Sequence, residues 1–377
     1  MRRGSVHYAR RVLYPPERLA HAQKAIAAAG LDALLVTPGS DLRYLTGYHA
    51  HALERLTCLV LPAEGQATLI VPRLERPAAE ASPAPGTGVL VVDHQDGDDP
   101  YPLVKQALSG PARAVGLSDR MWAVQVLALR DALPAARQRL ASEVLAPLRM
   151  RKTPAEVAAL REAGAAIDAV HARMGEWLRA GRTEAEVGVD IGRAIREAGH
   201  ETVDFVIVAS GPNGASPHHA TSDRVIALGD PVVVDIGGTM PSGYCSDSTR
   251  TYVVGDAPAD FASYYEVLFA AQRAAVAAVR PGVSASSVDA AARSLIAEAG
   301  YGDAFLHRTG HGIGLDGHEE PYIVAGNALP LEPGMAFSVE PGIYLAGRHG
   351  ARIEDIVVCT ADGVERLNTL STSLVEL

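Results

Sequence analysis

The chain has 377 residues, more than one typical core accommodates, so two domains are expected. Its 48% hydrophobic and 21% charged residues fit a globular protein, and a formal net charge of −10 without a Lys/Arg stripe argues against a nucleic-acid partner. No apolar run approaches a membrane span, the basic N-terminus lacks the apolar core of a secretory signal, and three scattered cysteines fit buried thiols, so a cytoplasmic location is expected.

Residues 17–29 carry a helical apolar period closed by Gly30, and residues 32–37 (DALLVT) read as a buried strand. Residues 42–47 are a short segment ending in glycine. Residues 57–62 and 67–71, with EGQ between them, have the signature of a hairpin. Strands at 89–92 and 113–117 alternate with helices at 101–108 and 122–129. This alternation predicts a small α/β domain with a mixed sheet, without a phosphate-loop glycine pattern and without evident chemistry. The domains are placed at 1–148 and 149–377, because Thr153, Pro154 and Glu156 supply an N-cap, a first-position proline and a first-turn acid after a basic cluster. Helices are expected to about 180 and over 183–198, stopped by Gly181 and Gly199. A strand at 203–209 and the loop SGPNGASPHH follow. After the acidic hairpin described next come helices over 260–279 and 284–299, the loop HRTGHGIGLDGHEEP, and strands over 336–340 and 352–360.

Residues 232–247 read VVVDIGGTMPSGYCSD, two strands around a Gly/Pro turn, with Asp235 on one and Asp247 on the other. A carboxylate ending an apolar strand is costly without a countercharge, and a metal cation is the usual partner. The pattern recurs: GDPVVVDIG at 229–237 and GMAFSVEPG at 334–342 each place an acid six positions after a glycine, and a second acid follows each, Asp247 or Glu354. Two such hairpins would meet across a pseudo-two-fold axis. Period-two alternation puts Asp247 on the face of Thr249 and Thr251, and Glu354 on that of Arg352 and Ile356, while Asp355 faces away. His311 sits between two glycines, which allow close backbone approach. Asp235, Asp247, His311, Glu340 and Glu354 together need about two divalent cations to balance their repulsion, the arrangement of a hydrolytic clamp. Oxygen-rich ligation with one imidazole favours Mn²⁺, with Co²⁺ or Zn²⁺ also accommodated.

These stretches, together with PHH at 217–219, HRTGHGIGLDGHEEP, SVEPGIY and RIEDIVV, span most of 203–360. They are similar to those of metallopeptidases of the methionine aminopeptidase and Xaa-Pro peptidase superfamily, family M24. PGSDLRYLTGY and the strands after it resemble, more weakly, the N-terminal domain of creatinases and prolidases. The resemblance implies an α/β (α+β) protein: a creatinase-like N-terminal α/β domain followed by a pita-bread catalytic domain with pseudo-two-fold symmetry. It implies that Asp235 chelates one ion, that Asp247 and Glu354 bridge both, and that His311 and Glu340 complete the second. Glu340 would also act as general base toward the water nucleophile. His218 and His318 would hydrogen-bond the substrate and the tetrahedral intermediate. His307 would line the pocket, Arg352 would orient ligands or meet a substrate carboxylate, and Tyr344 would donate behind them. The spacing from Asp235 to Asp247 is one residue longer than in many relatives, the extra residue falling in the turn.

The expected reaction is hydrolysis of the Xaa-Pro bond in a small peptide with proline second, favoured as a dipeptidase (prolidase), with aminopeptidase P on longer peptides as the alternative. Creatinase-like chemistry without metal and a non-catalytic binding role are disfavoured, since such proteins lose ligands and all five positions are filled here. Methionine aminopeptidases usually lack the N-terminal domain and a counterpart of His307. A homodimer is implied. His49 and His51 read as loop or solvated residues, and the alternative is that their loop, with Arg55, reaches a partner's site in the dimer. His219 is read as a neighbour of the site rather than a participant.

Overall fold

A computed structural model describes residues 13–108 and 110–377, and most of the basic N-terminal stretch lies outside them. The chain divides into two units, Met1–Arg149 and Met150–Leu377. In the first, β1 (Ala33–Val36), β2 (Cys58–Pro62), β3 (Thr68–Pro72), β4 (Leu90–His94), β5 (Ala114–Leu117) and β6 (Arg137–Leu140) form one sheet in the order β4-β3-β2-β1-β5-β6. The sheet is mixed because β2 turns tightly into β3, giving antiparallel pairs, while β4, β5 and β6 are reached through helices and run parallel to their neighbours. Leu35, Val60, Ile70, Val115 and Leu129 meet in its core. The segment ending in Gly47 is the helix Ser40–Thr46, and Gly47 at φ 71° closes it in the left-handed conformation. β6 was not expected: its RQRL sequence is a half-exposed edge with no apolar alternation.

The second unit is built twice. β7 (Thr202–Ser210), β8 (Pro231–Thr239) and β9 (Cys245–Val253) are successive antiparallel neighbours. Helices Pro154–His171 and Glu184–Glu197 cover one face of them, packing on Val208, Val232, Val234 and Ile236. Thr153 and Thr183 both close capping boxes, with Glu156 and Glu186. Such a cap contributes about 1 kcal/mol. In the other half, β10 (Gly310–Gly312), β11 (Glu319–Ile323), β12 (Ala336–Val339), β15 (Asp355–Thr360) and β16 (Gly363–Arg366) form the sheet β11-β10-β12-β15-β16. β13 (Gly342–Leu345) and β14 (His349–Arg352) form a separate hairpin, and β17 (Val375–Glu376) lies parallel to β9. Helices Ala259–Ala278 and Ala285–Glu298 pack on Phe337, Val339, Val357 and Cys359.

Three expectations are corrected. The helix expected to 180 ends at His171, and a short 3-10 turn, Met174–Glu176, follows. Buried Met174, Trp177 and Leu178 keep the i, i+3, i+4 spacing through that turn, so periodicity alone runs past the helix end. The loop at 307–321 contains β10 and the start of β11, too short and glycine-rich to read as strands. The strand expected over 352–360 is broken: β14 pairs with β13, β15 pairs with β12, and the chain changes partner at Ile353 and Glu354. Among the described residues, no helix is long and apolar enough to cross a membrane.

Candidate metal centre and active-site cavity

On β8, Val232, Val234 and Ile236 point into the helix-covered core, so Asp235 emerges on the opposite face. It pairs across the ladder with Thr249 of β9, and Asp247 lies two residues before Thr249 on the same face. Gly237 leaves room for the Phe205 ring, which crosses where a Cβ would stand. In the other half, Glu340 follows the last residue of β12 and Glu354 precedes the first of β15. Val339 pairs with Asp355, so these two glutamates face each other just beyond the ladder's end. His311 lies in β10, pressed between β11 and β12. A Cβ at Gly310 would strike Ser338 O, and one at Gly312 would strike Glu320 O, which explains both glycines.

The five expected ligands come together. Asp235, Asp247 and Glu354 offer oxygens within 4.8 Å of one another, and a ring nitrogen of His311 lies equally close to oxygens of Glu340 and Glu354. His311 Nε2 lies 3.2 Å from Glu340 Oε1 and 3.6 Å from Asp247 Oδ2. Burial raises the Asp247 carboxyl well above its ordinary value, and the Asp235 charge raises it further. Burial and then Asp247 do the same to Glu354. His311 behaves oppositely: burial disfavours its charge, but the Glu340 hydrogen bond and charge outweigh this and lift it to about 9. Burial likewise pushes Glu340 up, and His311 overrides it, holding Glu340 at about 2. One imidazolium and the Arg352 guanidinium face four acids, too little positive charge for a site this buried. Asp235 Oδ1 and Glu354 Oε1 are the buried carboxylate oxygens without a hydrogen-bond partner among the described residues. Unpartnered anionic oxygens converging on one point fit divalent cations.

Around the cluster lies a cavity of about 310 Å³, lined by Phe205, Ile207, His218, His307, Arg308 and His318 together with the five expected ligands and Arg352. His318 stacks on His311 with ring centroids 3.7 Å apart, and burial followed by the His311 charge pushes it down to about 4. His307 bonds the Tyr344 hydroxyl at 2.8 Å, and burial lowers its pKa. Arg352 donates to Asp235 Oδ2 at 2.6 Å, to the Tyr344 hydroxyl and Pro217 O through Nη1, and to Thr249 Oγ1 through Nε. Four of its five N–H groups are therefore used inside the protein. Tyr344 is buried behind His307 and Arg352 rather than on the cavity wall. His219 bonds Glu184 and is not part of the lining. Asp355 faces away and anchors Arg250, Gln272 and Arg366. Arg55 is held by Glu54 and Asp96 within the first unit.

Three residues of the site had not been singled out. Thr249 donates to Glu354 Oε2 at 2.8 Å, joining the two halves. It shares the Asp247 face, and that parity was the available signal. Arg308 is adjacent to His307 in sequence. Glu184 is fully buried and left no local signal. Its Oε1 accepts from Ser210 N and Oγ and from Asn213, and its Oε2 from Ser222 N and Oγ and from His219. Burial alone would raise its pKa, but these donors, Ser222 first, hold it at about 2. Together they pin both ends of the loop that carries His218.

A paired-carboxylate cluster with one histidine, in a duplicated sheet–helix unit, is a donor set able to hold divalent metal ions for hydrolysis. Residues 158–361 match the metallopeptidase family M24 and residues 18–151 match the creatinase/prolidase N-terminal domain, so the chain belongs to the M24 metallopeptidases, a family that uses divalent metal ions. Over 358 residues it is 57% identical to a probable dipeptidase PepE of Mycobacterium tuberculosis, covering 95% of each chain. It is 35% identical over 356 residues to an Xaa-Pro dipeptidase of Lactobacillus delbrueckii subsp. lactis, covering 92% of this chain and 95% of that one. The crystal structure of dipeptidase PepE from Mycobacterium ulcerans superposes with a TM-score of 0.91 at 58% identity, covering 96% of this chain and 97% of that one.

Proposed function

We propose that the protein is a dinuclear Xaa-Pro dipeptidase. The observation that carries this is one small cavity in which four carboxylates and His311 converge beside three further histidines, in a chain with relatives named dipeptidase and Xaa-Pro dipeptidase. In this reading Asp235, Asp247, His311, Glu340 and Glu354 would hold two divalent ions. When bound, such ions lower the pKa of water and polarise the scissile carbonyl. Manganese is assigned because four of the five donors are carboxylates, with Co²⁺ and Zn²⁺ as tolerated substitutes.

The protein's own groups divide the remaining work. Glu340, anionic at neutral pH, takes the proton of the attacking water and returns it to the proline nitrogen as the bond breaks. His218 and His318 donate to the oxygens that gain charge in the tetrahedral species. Neutral His318 has one N–H for this purpose. Phe205 and Ile207 provide an apolar wall for the proline ring. Arg352 acts by orienting Asp235, since its donors are committed there. In the same reading the enzyme is a homodimer in a reducing cytoplasm, where three buried free cysteines are stable.

The test is a kinetic panel of Ala-Pro, Met-Pro, Ala-Pro-Ala and Met-Ala-Ser with Mn²⁺. Turnover of the two dipeptides well above the tripeptides is expected. Ala-Pro-Ala cleaved as fast as Ala-Pro would move the assignment to aminopeptidase P, and preference for Met-Ala-Ser to methionine aminopeptidase.

A further inference from the structure

Among the described residues the His318 ring makes no hydrogen bond; it stacks on His311. Its place in the cavity is therefore set by its backbone. Residues 313–318 are the turn between β10 and β11, whose register pairs Gly312 with Glu319, so His318 is the last turn residue before the ladder resumes. The carboxylate next to it is anchored from the start of the catalytic unit: Lys152 Nζ donates to Glu319 Oε1 at 2.6 Å. The Lys152 side chain is only 2% exposed and that of Glu319 10%, so the pair is buried. Gly314 makes room for it, since a Cβ there would lie 2.8 Å from Glu319 Oε1 and 3.2 Å from Lys152 Cε. The Lys152 backbone is fastened as well. Its N–H donates to Gly334 O at 2.8 Å, and a Cβ at Gly334 would strike Lys152 O. Gly334 stands just before β12, the strand that leads to Glu340.

A buried lysine and glutamate are a costly way to hold a turn. Each loses its water, and a well-packed apolar pair of similar volume is often as stable or more so. What the ion pair adds is a fixed length and direction between two points. From this geometry we infer that Lys152 is a positioning residue for the reaction: through Glu319 it holds His318 where its N–H meets the carbonyl oxygen as that oxygen gains charge. The inference rests on the peptidase reading above. Lys152 itself lies outside the cavity lining, so it acts through its neighbours. One residue thereby ties the base and the donor to a common post. Its backbone holds the start of the strand that ends beside Glu340, and its side chain holds the end of the turn that carries His318. A misplacement of about 1 Å at a reacting centre costs about 100-fold in rate, which is reason enough for a rigid link. The basic cluster ahead of the first catalytic helix thus has a part in the site.

The experiment is a mutant cycle on Mn²⁺-loaded protein with Ala-Pro as substrate, with metal content and the urea midpoint of every variant measured alongside. Lys152→Met keeps the length of the side chain and removes its charge. It should lower kcat about 10- to 100-fold while KM changes less than about 3-fold and metal content holds. Because that variant leaves the Glu319 charge buried alone, the second variant is Lys152→Met/Glu319→Gln, which removes both charges. Its urea midpoint should return toward wild type while kcat stays low. In a His318→Ala background the same double change should lower kcat by less than about 2-fold further, since its effect passes through His318. Recovery of kcat together with the midpoint, loss of metal, or full additivity with His318→Ala overturns the role of Lys152 and leaves the peptidase reading standing. A wild type that cleaves neither Ala-Pro nor Ala-Pro-Ala overturns that reading, and this inference with it.

Discussion

The two halves of the catalytic unit reach the same chemistry by different local routes. The first is a regular hairpin whose register holds from Pro231–Val253 to Thr239–Cys245. Its acids, Asp235 and Asp247, are diagonal neighbours inside the ladder. In the second half the ladder of β12 and β15 ends at Val339–Asp355, a separate hairpin is inserted, and Glu340 and Glu354 stand where the next pair would be. Acids inside a ladder are held by two strands each. The acids beyond its end are glutamates, one methylene longer, and reach further from their backbone. The hold of two strands suits Asp235 for keeping a fixed position, and the longer reach suits Glu340 for carrying a proton.

Exchanging carboxylate for amide in each half tests that division. In Glu340→Gln, metal content by elemental analysis should stay near the wild-type value while kcat falls about 10²- to 10⁴-fold, the size of a general-base effect. In Asp235→Asn the order reverses: the variant loses the charge that pairs with Arg352 and that, as proposed, would hold an ion, so metal content should fall first and activity with it. Equal metal loss in both variants would abolish the distinction between the halves.

Much of this was legible in the sequence, and what was missed has a common cause. The paired Gly–strand–acid pattern reveals the duplication because an apolar strand ending in a carboxylate is unusual enough to notice twice. Parity placed Asp355 correctly away from the cluster. The break at Ile353 and Glu354 left no mark, since a chain changing strand partners keeps its alternation on both sides. Glu184 was missed because its donors, Ser210, Asn213, His219 and Ser222, come from sequence 26 to 38 residues away. Helix-start patterning explains Glu184 adequately as a first-turn acid, so nothing prompts a second role.

The next effect in size concerns the join between the halves. Thr249 belongs to β9, yet its hydroxyl donates to Glu354 and accepts from Arg352 Nε. Thr249→Val keeps the shape and removes both bonds. Outer-shell losses of this kind cost about 10- to 100-fold in metal affinity. Titration of the metal-free variant with Mn²⁺ should show that weakening, with the weaker ion affected more because only one half is released. Wild-type affinity for both ions would mean that each half holds its ligands independently.

The smallest expected effect concerns the edge of the first half. Glu184 fastens the loop between β7 and β8, and its donors hold its pKa at about 2 against an ordinary value of 4.5. A carboxylate whose folded pKa is lowered contributes its full stability above the unfolded value, and loses it as pH falls through the folded one. Glu184→Gln should therefore lower stability by about 2–4 kcal/mol near neutral pH, because an amide presents hydrogens to groups that are themselves donors. The deficit should shrink between about pH 4.5 and pH 2, where wild type protonates and the variant has nothing to lose. Denaturant midpoints at pH 7, 4.5 and 3 follow it directly. A deficit that stays constant over that range would show that packing around residue 184, not its charge, holds the loop carrying His218.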